Sequence, residues 1–405
     1  MFVQKFLARQ PIFNSQRVVY GYELLYRSSS ANSFGVAQPD HACASTLDSA
    51  LLFGIDRLIP GCRAFVNCTR DSLLHEFPTM LPQDRVVIEI LETVQVDAEV
   101  IESCRSLKSA GYLLALDDFT DTAEWAPLVD LADFIKVDLI ATSPAEQQRL
   151  AQAFLPQKIR LVAEKVETHE EFRRCLSWGY AYFQGYFFSR PEMLSRRDIP
   201  ASKLNCLRVL HAANEVPMNP RRICDSIKTE AALSFRLLRY LNSPLFPFAS
   251  EVRSIPHAIS LLGETGTRKW VSLMTVACIS DDKPRELVLL PLIRARFCEL
   301  LASPAGCPAS ANDLFLLGLL SAMDAILDME LPDILKEISV REEIRDALLG
   351  AANHLRDVFS LAVNYEKGCW DEVKTAARAM SIDEDSLAPL YFDAVNWAEC
   401  TLLVR

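Results

Sequence analysis

The chain is expected to fold as a closed barrel of parallel β-strands followed by an all-α domain, and three observations carry that expectation. Strand-like apolar runs alternate with helix-like segments up to residue 190, which is the pattern of a parallel sheet. Seven of those runs (YGYELLYR, AFVNCT, VVIEILE, LLALDDF, FIKVDL, LVAEKVE and YFQGYFF) carry a polar side chain able to hold a metal or a phosphate: Glu23, Asn67, Glu89, Asp117 with Asp118, Lys136, Glu164 and Gln184. A barrel of parallel strands gathers such residues at one rim. Beyond Arg190-Pro191 no alternating strand follows, and the periodicity becomes helical.

Residues 5–27 read as two strands joined by the turn Asn14-Ser15-Gln16, a hairpin. Residues 40–54 have the apolar spacing of a first helix, through Ala42, Leu47, Ala50, Leu51 and Leu52. Strands are expected at 64–68, 86–91, 113–118, 134–138, 160–166 and 181–188, with helices near 97–110, 144–154 and 168–177. Seven or eight strands with polar exits favour a closed barrel over an open doubly wound sheet. No GxGxxG or GxxxxGK[ST] run is present to support a dinucleotide fold or a P-loop. In the second half a helix begins within 198–214. Ala231–Leu241 has helical spacing, and Asn242-Ser243-Pro244 stops it. Further helices are expected at 256–262, 267–279, 284–302, 311–327 and 340–363.

With 405 residues the chain is long for one core, so two domains are expected, 1–195 and 196–405. Half the residues are apolar and 23% are charged, the composition of a soluble globular protein. The net charge of −11 argues against a general surface for nucleic-acid polymers, and the excess acid lies mostly in the first half, with the rim carboxylates. An acidic site repels phosphate until cations neutralise it, so a phosphorylated ligand implies bound metal.

The twelve cysteines form no CxxC pair and no Cys/His zinc spacing. Cys43, Cys68, Cys104, Cys175 and Cys278 read as small core residues. The N-terminus lacks the apolar stretch of a signal peptide. The run from Leu314 to Met323 is too short to span a bilayer. A cytoplasmic protein without membrane attachment is the expectation.

The order of these runs resembles the EAL domain family, cyclic di-GMP phosphodiesterases and their inactive relatives, over residues 4–191. Gln10-Pro11-Ile12 matches the family's opening QPI, and Glu23-Leu24-Leu25 with Arg27 stands where the name-giving Glu-Ala-Leu belongs. Asn67 matches the next strand, and Glu89 with Glu92 matches the spaced acidic pair. Asp117-Asp118-Phe119 matches DDF, Lys136 with Asp138 matches KxD, Glu164 with Glu167 matches AEGVE, and Gln184-Gly185-Tyr186 matches QGY. The resemblance implies a (β/α)8-like TIM barrel with an antiparallel first strand. It implies that Glu23, Asn67, Glu89 and Asp117 hold one Mg²⁺ or Mn²⁺, with Asp117 bridging to a second ion helped by Asp118; oxygen donors of this kind suit hard divalent cations. It further implies Glu164 as general base and Lys136 as the group orienting water or phosphate. Gln10, Arg27 and Gln184 would contact the dinucleotide, and Glu92, Asp138 and Glu167 would be supporting residues.

Two departures from the family pattern stand out. The glycine-rich loop after DDF, which in the family shapes the metal site, binds substrate and supports a homodimer, is here Thr120-Asp121-Thr122-Ala123-Glu124-Trp125, without glycine. AEGVE has become Ala163-Glu164-Lys165-Val166-Glu167, which puts an ammonium beside the expected base. That ammonium either pairs with Glu164 and lowers its basicity or points away, as neighbours on a strand do.

The helical half resembles the HDOD (HD-related output) domain over residues 200–390, through Leu237-Leu238-Arg239-Tyr240-Leu241-Asn242-Ser243-Pro244 and Ile255-Pro256-His257-Ala258-Ile259-Ser260-Leu261-Leu262-Gly263. None of the six histidines precedes an Asp, so the adjacent His-Asp pair of metal phosphohydrolases is missing from this half. His257 reads as a hydrogen-bonded core histidine. The expected function is cyclic di-GMP signal transduction: a barrel that binds the nucleotide and divalent metal with weak or lost hydrolysis to pGpG, and a helical domain as non-catalytic output to a protein partner. The alternative is an active phosphodiesterase regulated by the helical domain.

Overall fold

The computed structural model describes residues 4–29, 59, 61–119, 124–186, 201–215, 217–228, 237, 252–280 and 283–403. The helix expected over 40–54, the break at Arg190-Pro191, the Ala231–Leu241 helix and its Asn242-Ser243-Pro244 stop lie outside these, Leu237 excepted. The chain divides into two compact units. The first holds Met1–Phe188 with Asn364–Asp371 and Glu384–Pro389, and the second holds the remainder.

The strands of the first unit are β1 (Gln4–Asn14), β2 (Val19–Ser29), β3 (Arg63–Cys68), β4 (Val86–Ile90), β5 (Leu113–Leu116), β6 (Phe134–Asp138), β7 (Arg160–Glu164) and β8 (Tyr182–Gln184). They close into a barrel in chain order. β1 runs antiparallel to both of its neighbours, β2 and β8, while the neighbouring pairs from β2 to β8 are parallel. The hairpin turn is built by Asn14, whose Oδ1 accepts from the N–H groups of Gln16 and Val18 at 2.9 Å each. Such an Asx geometry bends the chain where the sequence places it.

Strand periodicity fixes what the barrel does with its two faces. Ile12, Phe65, Val87, Ala115, Phe134 and Val162 point inward and form one fully buried apolar cluster. Two residues further towards the rim, on the same face, stand Gln10 (β1, running the other way), Asn67, Glu89, Asp117, Lys136 and Glu164. Under Glu23 the corresponding inward position is Gly21, where a Cβ would lie 2.7 Å from the Arg63 carbonyl and 3.0 Å from the Phe65 ring. Glycine there lets Phe65 fill the barrel axis, so the polar layer rests on a continuous apolar floor.

Helices α1 (Arg70–Leu74), α2 (Ala98–Ser109), α3 (Ala126–Val129), α4 (Pro144–Phe154) and α5 (His169–Trp178) lie in the connections. Their starts follow from local chemistry. Asp97 and Ser143 accept from the N–H of the third helical residue, and Thr168 with Glu171 forms a complete capping box. The strands expected at 113–118, 160–166 and 181–188 end earlier, at Leu116, Glu164 and Gln184, because the rim residues that follow turn into loops; 187–188 lie outside the described residues.

The described residues of the second unit contain helices and no strand. These are α6 (Ala201–Asn214), α7 (Pro220–Lys228), α8 (Ile255–Ile279), α9 (Arg285–Leu301), α10 (Ala311–Leu320), α11 (Met323–Leu327), α12 (Leu331–Glu337), α13 (Glu342–Leu348), α14 (His354–Glu366), α15 (Trp370–Ala379) and α16 (Leu387–Leu403). Parts of α14, α15 and α16 belong to the first unit. α8 kinks at Gly263, which matches the two segments expected there. Arg268 donates to the Ala213 and Glu215 carbonyls at 2.7 Å each and so satisfies the end of α6. The helix expected over 340–363 is two, because Asn353 caps α14 by accepting from the Arg356 N–H at 2.8 Å. His257 is exposed in the first turn of α8 rather than in the core. Among the described residues no helix is long and apolar enough to cross a membrane.

Candidate active site

The polar layer converges on one atom. Lys136 Nζ stands 2.8 Å from Glu89 Oε1, 2.8 Å from Asp117 Oδ1, 2.8 Å from Glu164 Oε1 and 3.3 Å from Glu23 Oε2. Glu89 has no accessible surface and Lys136 has 1%. Around this centre the carboxamides set orientation. Asn67 Nδ2 donates to Glu23 Oε1 at 3.2 Å, and Gln184 Nε2 donates to Glu23 Oε2 at 2.6 Å and to Gln10 Oε1 at 2.9 Å. Backbone bonds hold the loops that follow the strands. Asp117 N–H reaches the Ile90 carbonyl, Phe119 N–H the Lys136 carbonyl, and Val166 N–H the Gln184 carbonyl.

Four carboxylates around one ammonium leave an excess of negative charge where water is scarce, and protonation answers it. Burial pushes the Glu89 carboxyl well above its usual range, despite Lys136. Burial likewise pushes Glu164 up to about 8, against the opposing pull of Lys136 and with help from Asp117 and Glu23. Glu23 is also desolvated, but Lys136 and the bonds from Gln184 and Asn67 outweigh burial and hold it below the usual range. Its carboxylates keep Lys136 charged, well above the ordinary lysine value despite burial. Asp118, in the left-handed region at φ 39°, is raised by desolvation and by Asp117.

Among the described residues no three His, Cys, Asp or Glu side chains stand in metal-holding geometry, because the Lys136 ammonium takes the middle of the carboxylates. The donor chemistry nevertheless fits a hard divalent cation: carboxylate and carboxamide oxygens from successive strands, with Glu89 Oε2 and Asp118 Oδ1 buried and without a hydrogen-bond partner.

The structure places Lys165 plainly. Its backbone is left-handed, φ 54°, at the position where the family pattern has glycine, and its ammonium bonds to Asp138 Oδ2 rather than to Glu164. Asp138 also accepts from the N–H groups of Ile140 at 2.6 Å and Ala141 at 3.0 Å, so it anchors the loop after β6. Glu92 and Glu167 are exposed, and the Glu167 N–H donates to Glu171 Oε2 in the cap of α5. Arg27 lies on β2 in register with Phe6 and is described only through its backbone. In the glycine-free loop, residues 120–123 lie outside the described residues; Trp125 is buried edge-on against Phe119. Gly21 and Gly185 were legible only as a glycine inside a strand and a glycine after one. At Gly185, φ 144°, a Cβ would lie 2.2 Å from the Val166 carbonyl oxygen, so the turn after β8 closes only with glycine.

Residues 68–191 match the EAL domain and residues 199–359 match the HDOD domain. The protein YuxH of Bacillus subtilis, itself uncharacterised, is 32% identical over 401 residues, covering 97% of each chain. The cyclic di-GMP phosphodiesterase CdgJ of Vibrio cholerae is 30% identical over 402 residues, covering 97% of this chain and 92% of that one. The chain belongs to the EAL–HDOD family. Among solved structures, a calcium and cyclic di-GMP complex of Klebsiella pneumoniae BlrP1 is 26% identical, with a TM-score of 0.37, over 46% of this chain and 56% of that one. The EAL match falls on the closed barrel, and the HDOD match falls on the helical half that follows.

Proposed function

We propose that this EAL–HDOD protein binds cyclic di-GMP at the rim of its barrel with a divalent cation, Mg²⁺ or Mn²⁺, and hydrolyses it to linear pGpG. The observation that carries the reading is the convergence of Glu23, Glu89, Asp117 and Glu164 on one buried point, above an apolar floor that excludes water from below. Glu23, Asn67, Glu89 and Asp117 would hold the cation, with Asp118 assisting a second. When bound, the ion would act as a Lewis acid towards a phosphoryl oxygen and the attacking water. Glu164, held protonated by burial in the metal-free site, would accept the proton of that water once the positive charge of a bound cation has left its carboxyl ionised. Lys136 would donate to the phosphoryl oxygen or orient the water, and Gln10, Gln184 and Arg27 would contact the nucleotide. Water adds to phosphorus, the bond to the 3′ oxygen breaks, and the leaving oxygen takes up a proton, so the product keeps its 5′ phosphate.

Weak or lost hydrolysis, with the barrel serving as a sensor, is the second reading, and the glycine-free loop favours it. The turning of Lys165 towards Asp138 removes the other argument for it, since the expected base is not paired with that ammonium. In either case we assign residues 1–195 to the EAL domain and 196–405 to the HDOD domain. The HDOD domain would be a non-catalytic output towards a signalling protein, the location cytoplasmic and a homodimer the state implied by the family. Incubating the purified chain with cyclic di-GMP and Mg²⁺ or Mn²⁺, and following pGpG by chromatography alongside a binding titration, tests the reading. Binding without pGpG selects the sensor, and absence of binding with metal present ends both.

A further inference from the structure

The compact unit that contains the barrel also takes in residues 364–371, although the chain on either side of them belongs to the other unit. The turn from α14 into α15 lies in this stretch and is stiff for local reasons. Gly368 has φ 70°, its N–H donates to the Tyr365 carbonyl at 3.1 Å, and the Cys369 N–H donates to the Asn364 carbonyl at 2.9 Å. That pair of bonds is a Schellman helix end, which needs glycine at the left-handed position. Tyr365, fully buried, meets Trp370 edge-on with ring centroids 5.2 Å apart, pinning the turn from beneath.

The stiff turn touches two strand ends at once. Lys367 Nζ lies 5.3 Å from the centroid of the Tyr186 ring. A Cβ on Gly368 would stand 3.1 Å from Leu25 Cδ1, so the turn lies directly on β2. Tyr186 is two residues beyond Gln184, and Leu25 is two residues beyond Glu23 on the same face of its strand. Gln184 and Glu23 share the 2.6 Å hydrogen bond that orients the Glu23 carboxylate. One rigid piece of chain thus braces both sides of that bond from outside.

We infer that the turn at 366–370 is a positioning element of the rim. Through Tyr186 and Leu25, Lys367 and Gly368 hold Gln184 and Glu23 in register. The inference extends the proposed function, because Glu23 is there a cation ligand, but the register it describes exists without any ligand.

The test uses the full chain and the variants Lys367→Ala, Lys367→Arg and Gly368→Ala. Hydrogen exchange at residues 21–25 and 182–186 is followed without metal, and cyclic di-GMP is titrated in the presence of Mn²⁺. Lys367→Ala should weaken nucleotide binding by about two- to fivefold, the fold-change carried by an exposed cation–π contact. It should speed exchange at both strand ends while Tm stays within about 2 °C of the parent. Lys367→Arg should restore both. Gly368→Ala should speed exchange more, because the left-handed turn cannot be kept. Unchanged exchange in both Lys367→Ala and Gly368→Ala overturns the inference whatever the nucleotide does. If the parent fails to bind cyclic di-GMP, the proposed function falls, and the exchange arm alone decides the positioning role.

Discussion

The Lys136 ammonium is held 2.8 Å from Glu89 Oε1, and neither side chain meets solvent to any useful extent. In the protein without metal this lysine is the positive charge that lets the carboxylates of four strand ends crowd together. Breaking a buried pair by removing one partner costs about 3–5 kcal/mol, because the other partner is left uncompensated. Lys136→Met should therefore lower Tm in EDTA by about 10 °C. Added Mg²⁺ should recover much of the loss by supplying the missing charge. Differential scanning calorimetry with and without Mg²⁺ checks this, and equal losses in both conditions would contradict it.

Stability without metal should fall as pH rises from 5 to 8. In the unfolded chain the Glu164 carboxyl titrates near 4.5, whereas burial in the folded site holds it protonated up to about 8. Between those values the unfolded state binds fewer protons than the folded one, so rising pH favours unfolding. Glu89 and Asp118, also raised, act in the same direction. Glu23, held low, contributes an opposite slope only at more acidic pH. Thermal melts in EDTA at several pH values should show the decline, and saturating Mg²⁺ should flatten it. A metal-free Tm that rises between pH 5 and 8 would refute the protonated cluster.

Glu164→Gln should reduce pGpG formation by about 10²–10⁴-fold, the range carried by a positioned general base. Cyclic di-GMP binding should stay close to that of the parent, since the shape of the pocket is kept. Comparable losses of binding and turnover would make Glu164 a binding group instead.

Lys165→Gly should leave Tm within about 3 °C of the parent. Relief of a left-handed non-glycine residue returns about 1–2 kcal/mol, while losing a half-exposed ion pair to Asp138 costs up to about 1 kcal/mol. Turnover should change little, because the lysine does not touch Glu164. A many-fold rise in rate in this variant would instead show that Lys165 suppresses the base.

Gly185→Ala should be among the most damaging single-methyl changes in the barrel, costing about 3 kcal/mol or more. The added carbon meets backbone, not a side chain that can swing aside. Loss of soluble protein, or a marked drop in Tm, is the expected result.

Much of the site could be read before the structure because the barrel's inner face has a period of two. Once Phe65, Val87, Phe134 and Val162 are floor, the residues two positions on must share their face, and those are Asn67, Glu89, Lys136 and Glu164. What could not be read was how these groups meet. The fourfold contact of Lys136 depends on strands far apart in sequence, and the partner of Lys165 depends on a left-handed backbone angle that no lysine announces. Glu92 shares the spacing of its motif but stands exposed, since the chain has left the strand by then. In the helical half the split between α13 and α14 was signalled by Asn353 before a helical run, a cap hidden within a continuous apolar periodicity. The joining of residues 364–371 to the barrel unit had no local signal at all.

The apolar floor under the carboxylates makes the site a checkpoint on assembly. A strand that paired one residue out of step would turn its polar group outward and bring the outer face in, at heavy cost to the cluster of Phe65 and Phe134. A slip of two residues would keep the faces but carry its carboxylate about 6.6 Å along the axis, out of reach of Lys136. Only one alignment satisfies both, so a chain that can gather its charges has already closed its ring correctly. Errors in pairing and errors in chemistry are then the same errors, and a variant that loses one should be suspected of losing the other.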